Sequence, residues 1–154
     1  MKRRLFLKGT LAGGAIAVAA SAGLLIPTTV LAAWPKSAFD AKKVDDAINA
    51  LAGTTSTTSS GKVKINAPEI AEVSAEVRIT VDVEMDNVES ISIIVENNPS
   101  PFTAHFEIPA GTLGYVSTRV KMAKTSNVIA LVKSGGKLYS AQKEVKVTVG
   151  GCGG

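Results

Sequence analysis

One stretch of the sequence alternates between apolar and polar residues with a period of two, and this pattern constrains the fold more than any other feature. Its apolar members are Val73, Ala75, Val77, Ile79, Val81, Val83 and Met85. Because successive side chains of a strand point to opposite faces, the pattern predicts a strand with one buried face.

Further segments typical of strands follow one another with turn residues between them, and a two-residue hairpin at Gly135-Gly136 is predicted to join the last two. About seven strands without helical crossovers predict an all-β protein, an immunoglobulin-like antiparallel β-sandwich over residues 62–149. We expect apolar residues on an outer face, where a partner covers them; these are Val128, Ala130 and Val132. Besides the alternating stretch, the predicted strands are 62–66, 91–96, 102–108, 115–122, 128–133 and 138–149.

Residues 34–61 precede the predicted sandwich and lack its period-two alternation. Ser37 resembles a helix N-cap with Asp40 three residues later. Apolar residues at helical spacing then predict one short N-terminal helix that ends before Gly53. Residues 54–61 are a Ser/Thr-rich stretch that predicts a linker.

Residues 1–33 have the pattern of an export signal. Four basic residues lie within the first eight, an apolar run covers 11–26, and small residues at 32 and 33 suit cleavage there. The run Arg3-Arg4-Leu5-Phe6-Leu7-Lys8 resembles a twin-arginine signal, which carries folded cargo. Glycines and alanines in the run weaken the alternative of a membrane anchor. We therefore expect a periplasmic protein without membrane contact after cleavage.

Charge argues against a nucleic-acid partner. Of the 17 basic residues, 4 lie in the predicted signal, which leaves 13 against 13 acids in the mature chain. The charges are unevenly distributed, since residues 119–146 hold seven bases and one acid, while residues 69–107 hold nine acids and one base. This distribution predicts a basic flank near the C-terminus.

Common catalytic arrangements are missing from the sequence. His105 is the single histidine, and neither metal-ligand spacing nor a phosphate-binding loop is present. We expect His105 to be an ordinary strand residue. The sequence therefore predicts a protein that is not an enzyme, with no catalytic residue, no metal site and no cofactor of its own.

The C-terminus carries the most informative chemical group, the single cysteine of the chain. Cys152 is flanked only by glycines, namely Gly150, Gly151, Gly153 and Gly154. One cysteine in an exported protein cannot form an internal disulfide, and the glycines give the thiol no steric shield. No neighbouring base or cation would activate it. The pattern predicts a carrier arm, residues 150–154, whose chemistry is supplied by other proteins.

Several short motifs of the chain together point to one protein family. They are the twin-arginine leader, residues 65–72 (INAPEIAE), 97–101 (NNPSP), 118–122 (TRVKM), 125–126 (TS), 136–139 (GKLY), 143–148 (KEVKVT) and the terminal GGCGG. With these motifs the sequence closely resembles the SoxY family, the sulfur-carrier subunit of the periplasmic Sox thiosulfate-oxidation system. Val73-Ser74 departs from the family pattern, which has Asn-Gly after the Ala-Glu pair.

The resemblance implies that Cys152 holds sulfur covalently. A Sox haem enzyme would attach thiosulfate as an S-thiosulfonate, a hydrolase would release sulfate, and a sulfane-oxidising enzyme would act on the sulfur that remains. It also implies a heterodimer with a small signal-less partner, SoxZ. In this scheme the chain itself contributes the attachment point.

Two other functions fit parts of the sequence. A ubiquitin-like sulfur donor ending in Gly-Gly would carry sulfur on the carboxylate of Gly154, although its ATP-dependent activation belongs in the cytoplasm. An exported structural module would instead use Cys152 for an intermolecular disulfide.

Overall fold

The computed structural model describes residues 35–148 of the 154-residue chain. The predicted signal peptide and the predicted carrier arm lie outside these residues. Two helices and nine strands make up the described part: α1 (Lys36–Asp40), α2 (Val44–Ala52), β1 (Thr58–Ser59), β2 (Val63–Asn66), β3 (Ile70–Ala71), β4 (Val77–Val83), β5 (Val88–Val95), β6 (Phe102–Glu107), β7 (Gly114–Val120), β8 (Ser126–Ser134) and β9 (Lys137–Val147).

The strands form two sheets that pack face to face. The larger sheet has the order β1-β9-β8-β5-β6, with β3 also pairing with β9, and the smaller sheet has the order β2-β4-β7. All pairs are antiparallel except the short pairs of β1 and β3 with β9, which are parallel. The predicted all-β, immunoglobulin-like sandwich is confirmed.

The alternation that predicted the first strand is found in β4. Val77, Ile79, Val81 and Val83 are buried between the sheets, while Arg78 and Asp82 are exposed. Each such buried side chain stabilises the fold by about 1.5–3 kcal/mol. The strand is shorter than predicted because a turn precedes it, in which the Glu76 N–H donates to the carbonyl of Val73.

The inner face of β8 corrects one expectation. Val128, Ala130 and Val132 are 0% exposed and lie in the core between the sheets, so the prediction that they form an outer interface was wrong. Alternate residues Ile129 and Leu131 occupy the outer face, where they pack against the helices. Both faces of this strand are apolar, and the sequence alone does not distinguish them.

The N-terminal segment forms two helices where one was predicted. Ser37 lies inside α1, and the N-cap is Pro35, without a side-chain capping bond. Ala41 has extended backbone (φ −61°, ψ 144°), which ends α1 and separates it from α2. The C-terminus of α2 is at Gly53 (φ 69°), whose N–H donates to the carbonyl of Asn49 at 2.8 Å.

The helices cover the outer face of the larger sheet. Ala38, Ala47 and Ile48 form a second apolar cluster with residues of the sheet that include Leu131 and Phe102. Phe39 meets Phe102 edge to face, with ring centroids 4.7 Å apart. This layer explains why β5 and β8 lack a strict apolar-polar alternation.

Two of the segments that pair with the last strand, β9, are the preceding strand β8, through a hairpin, and β1, from the segment predicted as a linker. The hairpin between β8 and β9 is formed as predicted by Gly135 and Gly136, with φ of 55° and 72° and the pair Ser134–Lys137 closing it. The segment predicted as a linker contains a strand, since Thr58 and Ser59 pair with Tyr139 and Ser140 of β9. Both residues of β1 are exposed, so backbone pairing alone places them in the sheet.

Candidate functional site

The site predicted from the sequence centres on Cys152, which lies with the rest of the predicted arm outside the described residues. The structure instead shows the base from which that arm extends. Its last described residue, Thr148, follows β9 and precedes Cys152 by four positions.

On one side, the end of β9 is bound to β3. The Lys146 N–H donates to the Glu69 carbonyl at 2.9 Å, and the Thr148 N–H donates to the Ala71 carbonyl at 3.3 Å. The side chain of Ala71 is buried in the core, which fixes β3 to the body of the sandwich. The strand therefore keeps backbone partners up to its last described residue.

On the other side, loop residues hold the same end of β9. The Thr125 hydroxyl accepts the Val147 N–H at 3.0 Å, and the Thr125 carbonyl accepts the side-chain amide of Asn97 at 2.9 Å. The Asn97 N–H donates to the Ser126 hydroxyl at 2.9 Å. These bonds join the β5–β6 and β7–β8 loops to the end of the strand.

Asn98 ties these two loops together a second time. Its side-chain amide donates to the Lys121 carbonyl at 2.8 Å, and its side-chain oxygen accepts the Ala123 N–H at 2.9 Å. Between them Met122 is fully buried, and its N–H donates to the Ser74 carbonyl at 2.8 Å. The turn at Val73-Ser74, where the sequence departs from the SoxY pattern, is thus bound to the same end.

Five of the sequence motifs that carry the SoxY resemblance meet at this end, although up to about eighty positions separate them along the chain. They include residues from 65–72, 97–101, 118–122, 125–126 and 143–148. The sequence analysis did not predict this cluster. The local sign of this cluster in the sequence is that polar residues such as Asn97 and Thr125 directly flank predicted strands.

The charge near the end of β9 is mixed. Lys121, Lys124 and Lys146 are exposed, as the predicted basic flank requires. Lys143 is half-buried, and its ammonium group donates a hydrogen bond to the Ala67 carbonyl at 2.7 Å. This lysine therefore also contributes to the fold. Exposed Glu69 and Glu72 directly precede and follow β3.

His105 lies away from this end, on the outer face of β6. Its Nδ1 is 2.9 Å from the Ser92 hydroxyl and its Nε2 is 2.9 Å from Oε1 of Glu107. The imidazole lines a cavity of about 490 Å³ beside the C-terminal part of α2. Both ring nitrogens are within hydrogen-bond distance of neighbouring side chains, which agrees with the prediction of an ordinary strand residue.

The same cavity contains an ion pair between Glu89 and Lys133, 2.9 Å apart. The hydrogen bond from Lys133, followed by that from the Gly136 N–H, lowers the pKa of Glu89, and the bond to Glu89 raises the pKa of Lys133. Each group of the pair therefore stabilises the charged form of the other.

Within residues 35–148, no group of histidine and acidic side chains has an arrangement suited to a metal ion. In the same part of the chain, no helix is long and apolar enough to cross a bilayer.

Comparison with known proteins gives two informative solved structures. The sulfur carrier protein SoxY from Chlorobium limicola f thiosulfatophilum is 44% identical, with a TM-score of 0.64, over 70% of this chain and 97% of that one. A superoxide reductase (neelaredoxin) from Ignicoccus hospitalis is 21% identical, with a TM-score of 0.50, over 56% of this chain and 80% of that one. The second match reflects the shared sandwich fold alone.

A comparison with curated protein sequences gives no significant match. The family model of the sulfur oxidation protein SoxY matches residues 48–152, from α2 through the sandwich to the cysteine of the predicted arm. Because this match spans more than half of the sequence, and the Chlorobium protein is covered almost completely, the chain belongs to the SoxY family.

Proposed function

We propose that this protein is a periplasmic sulfur carrier that holds thiosulfate-derived sulfur covalently on Cys152 and presents it to partner enzymes. The observation that carries the proposal is that the SoxY family match extends to residue 152 itself. Membership of this sulfur-oxidation family supports the carrier role, and the similar Chlorobium protein is described as a sulfur carrier.

The end of β9 suits the base of such an arm. Val147 and Thr148 are held on one side by β3 and on the other by Thr125. Since a residue of extended chain spans at most about 3.6 Å, Cys152 lies within about 14 Å of Thr148. A short arm on a fixed base limits the positions of the sulfur relative to the sandwich.

The proposed chemistry is divided between the carrier and its enzymes. Joining the Cys152 thiolate to thiosulfate forms a sulfur–sulfur bond and releases two electrons, which a Sox haem enzyme accepts. A hydrolase then adds water, releases sulfate and leaves a persulfide on Cys152. A sulfane-oxidising enzyme acts on the remaining sulfur. The carrier contributes the attachment point and no catalytic group or cofactor of its own.

Location and partner complete the proposal. The leader, residues 1–33, supports export in the folded state by the twin-arginine route, and a signal-less SoxZ partner would cross as part of a heterodimer. Sedimentation of the co-expressed pair should show a stable one-to-one complex. Two independently sedimenting monomers at micromolar concentration would contradict the partnership.

The test of the carrier function is peptide mass mapping of protein isolated from its native source during growth on thiosulfate. We expect adducts of thiosulfate and of sulfane sulfur on the peptide that contains Cys152, and none on a Cys152→Ser variant. Sulfur on the Gly154 carboxylate would assign a ubiquitin-like donor instead. A population linked mainly through intermolecular disulfides, without sulfur adducts, would assign a structural module.

A further inference from the structure

Strand β6 forms one edge of the larger sheet. It pairs with β5 on one side, and no other strand of the described residues pairs with it on the other. An open edge presents backbone donors and acceptors that another extended chain can use.

The register shows which groups of β6 point outward. The Ile108 N–H donates to the Glu89 carbonyl at 2.9 Å, and Phe106 and Ala104 continue the same register opposite Ile91 and Ile93. In an antiparallel ladder, hydrogen-bonded residues alternate with residues that face away. The N–H and C=O groups of His105 and Glu107 therefore point to the open side.

The other edges of the two sheets carry protective features that β6 lacks. β2 includes Lys64, β7 includes Arg119, and β9 is covered at both ends by β1 and β3. Charged side chains, above all lysine, and proline on an edge discourage pairing with other chains. The sequence of β6, FTAHFE, contains the acid Glu107 and no lysine, arginine or proline.

The inner side of β6 is an incompletely covered apolar surface. Ala104, Phe106 and Ile108 are only partly buried against the core. The main contacts between the sheets run from β2 to β8 and β9 and from β7 to β5, so β6 extends past the smaller sheet. A strand added at this edge would place its own inward side chains beside Phe106.

Charge indicates which kind of chain fits. Residues 96–113, which comprise β6 and its two flanking loops, hold Glu96 and Glu107 and no lysine or arginine. Glu107 is the acid that lies in β6 itself. A second copy paired through β6 would bring no lysine or arginine to it, whereas a strand with basic residues would be complementary.

We propose that β6 is the docking edge for an extended, basic strand of a different polypeptide, the partner of the heterodimer. This inference rests on the proposed function and adds to it the surface and the mode of contact. The partner strand would receive hydrogen bonds from His105 and Glu107 and cover Phe106.

Amide hydrogen exchange resolved by NMR tests the proposal with an internal control. In the isolated mature chain, the outward amides of His105 and Glu107 should exchange quickly, while those of Ala104 and Phe106, bonded to β5, exchange slowly. In the complex with the co-expressed SoxZ-type partner, the outward amides should slow by about tenfold or more.

The possible results separate the two proposals. A complex that leaves the His105 and Glu107 amides unprotected overturns the docking edge and leaves the partnership intact. Failure to form any complex overturns the partnership and the docking edge with it. Protection that appears in the isolated chain and grows with its concentration assigns the edge to a second copy, which also overturns the proposal.

A pair of variants provides a second measurement. His105→Pro removes one outward N–H at an edge position where proline is tolerated. His105→Ala keeps that N–H, and both variants lose the imidazole contacts to Ser92 and Glu107. We expect His105→Pro to weaken partner binding about tenfold more than His105→Ala. Equal affinities contradict the proposal, and if His105→Pro does not fold, the exchange pattern decides.

Discussion

The side-chain hydroxyl of Thr125 accepts a hydrogen bond from the backbone N–H of Val147 at 3.0 Å, at the point where the last strand of the sandwich ends. The Thr125 carbonyl is in turn bound by Asn97. Three segments that are distant in the sequence thus meet where the chain leaves the sandwich toward Cys152.

Replacing Thr125 by valine should loosen this end, because valine has a similar shape and no hydroxyl. We expect the free energy of unfolding to fall by about 1 kcal/mol in urea denaturation. The Val147 amide should exchange faster than in the native protein. Thr125→Ser, which keeps the hydroxyl, should behave as wild type. Unchanged protection of Val147 in Thr125→Val would show that the bond contributes nothing.

Replacing Gly151 and Gly153 by valine tests the glycines of the proposed arm. Stability should barely change, because both residues lie beyond β9. A small thiol reagent should still label Cys152. We expect the arm to enter a narrow channel of the partner haem enzyme that admits glycine backbone and excludes branched side chains, so loading of the variant should collapse.

The matched control is the double alanine variant, which adds less bulk and should retain part of the loading rate. If the valine variant is loaded and unloaded at the native rate, the glycines act only as a flexible tether.

Reversing the charge of Lys146 should slow loading at low ionic strength by about threefold, with the difference disappearing as salt rises. Lys146 is exposed at the end of β9 nearest the proposed arm, whereas exposed Lys137 lies at the opposite end of the same strand. Lys137→Glu is therefore the control and should load normally. If both variants are loaded at the wild-type rate, these lysines contribute only to solubility and to protection of the sheet edge.

The Glu89–Lys133 pair should give stability a defined pH dependence. The bond from Lys133 lowers the pKa of Glu89 below its ordinary 4.5, so this contribution is present above pH 4.5 and lost as pH falls through the folded value. The bond to Glu89 raises the pKa of Lys133 above 10.5, so its contribution is present below that pH and lost as pH rises.

Glu89→Gln should therefore lower the thermal midpoint at neutral pH, and the difference from wild type should narrow in acid. Midpoints measured from about pH 3 to 9 check this expectation. Glu144→Gln, which removes an exposed acid from β9, controls for the loss of one carboxylate. A difference for Glu89→Gln that stays constant with pH would contradict the assignment.

The sequence predicted the elements whose signals are local. The β4 alternation and the Gly135-Gly136 hairpin need only neighbouring residues, and both are found where expected. Both faces of β8 are apolar because both are covered. The helices cover the face that carries Leu131, and the core between the sheets covers the other. No local pattern separates two such faces, and the prediction that Val128, Ala130 and Val132 face outward was wrong for this reason.

The anchoring of the strand end could not be predicted for a similar reason. β3 has two residues, too few for a periodic signal, and it is defined by its pairing with β9. The contacts of Asn97 and Thr125 depend on two loops being brought together by the sheets. The hypothesis that Cys152 is the attachment point rests on a local signal, its glycine neighbours, which are unusual in themselves.

The long pairing of β8 with β9 has a mechanical consequence. Nine residue pairs join these strands, and the chain leaves β9 after Val147, at one end of this ladder. A pull on the chain at that end, directed along the axis of β9, would load those hydrogen bonds together in shear instead of opening them one after another. The withdrawal of the arm from an enzyme would then strain the sandwich in the direction in which a β-sheet resists force best.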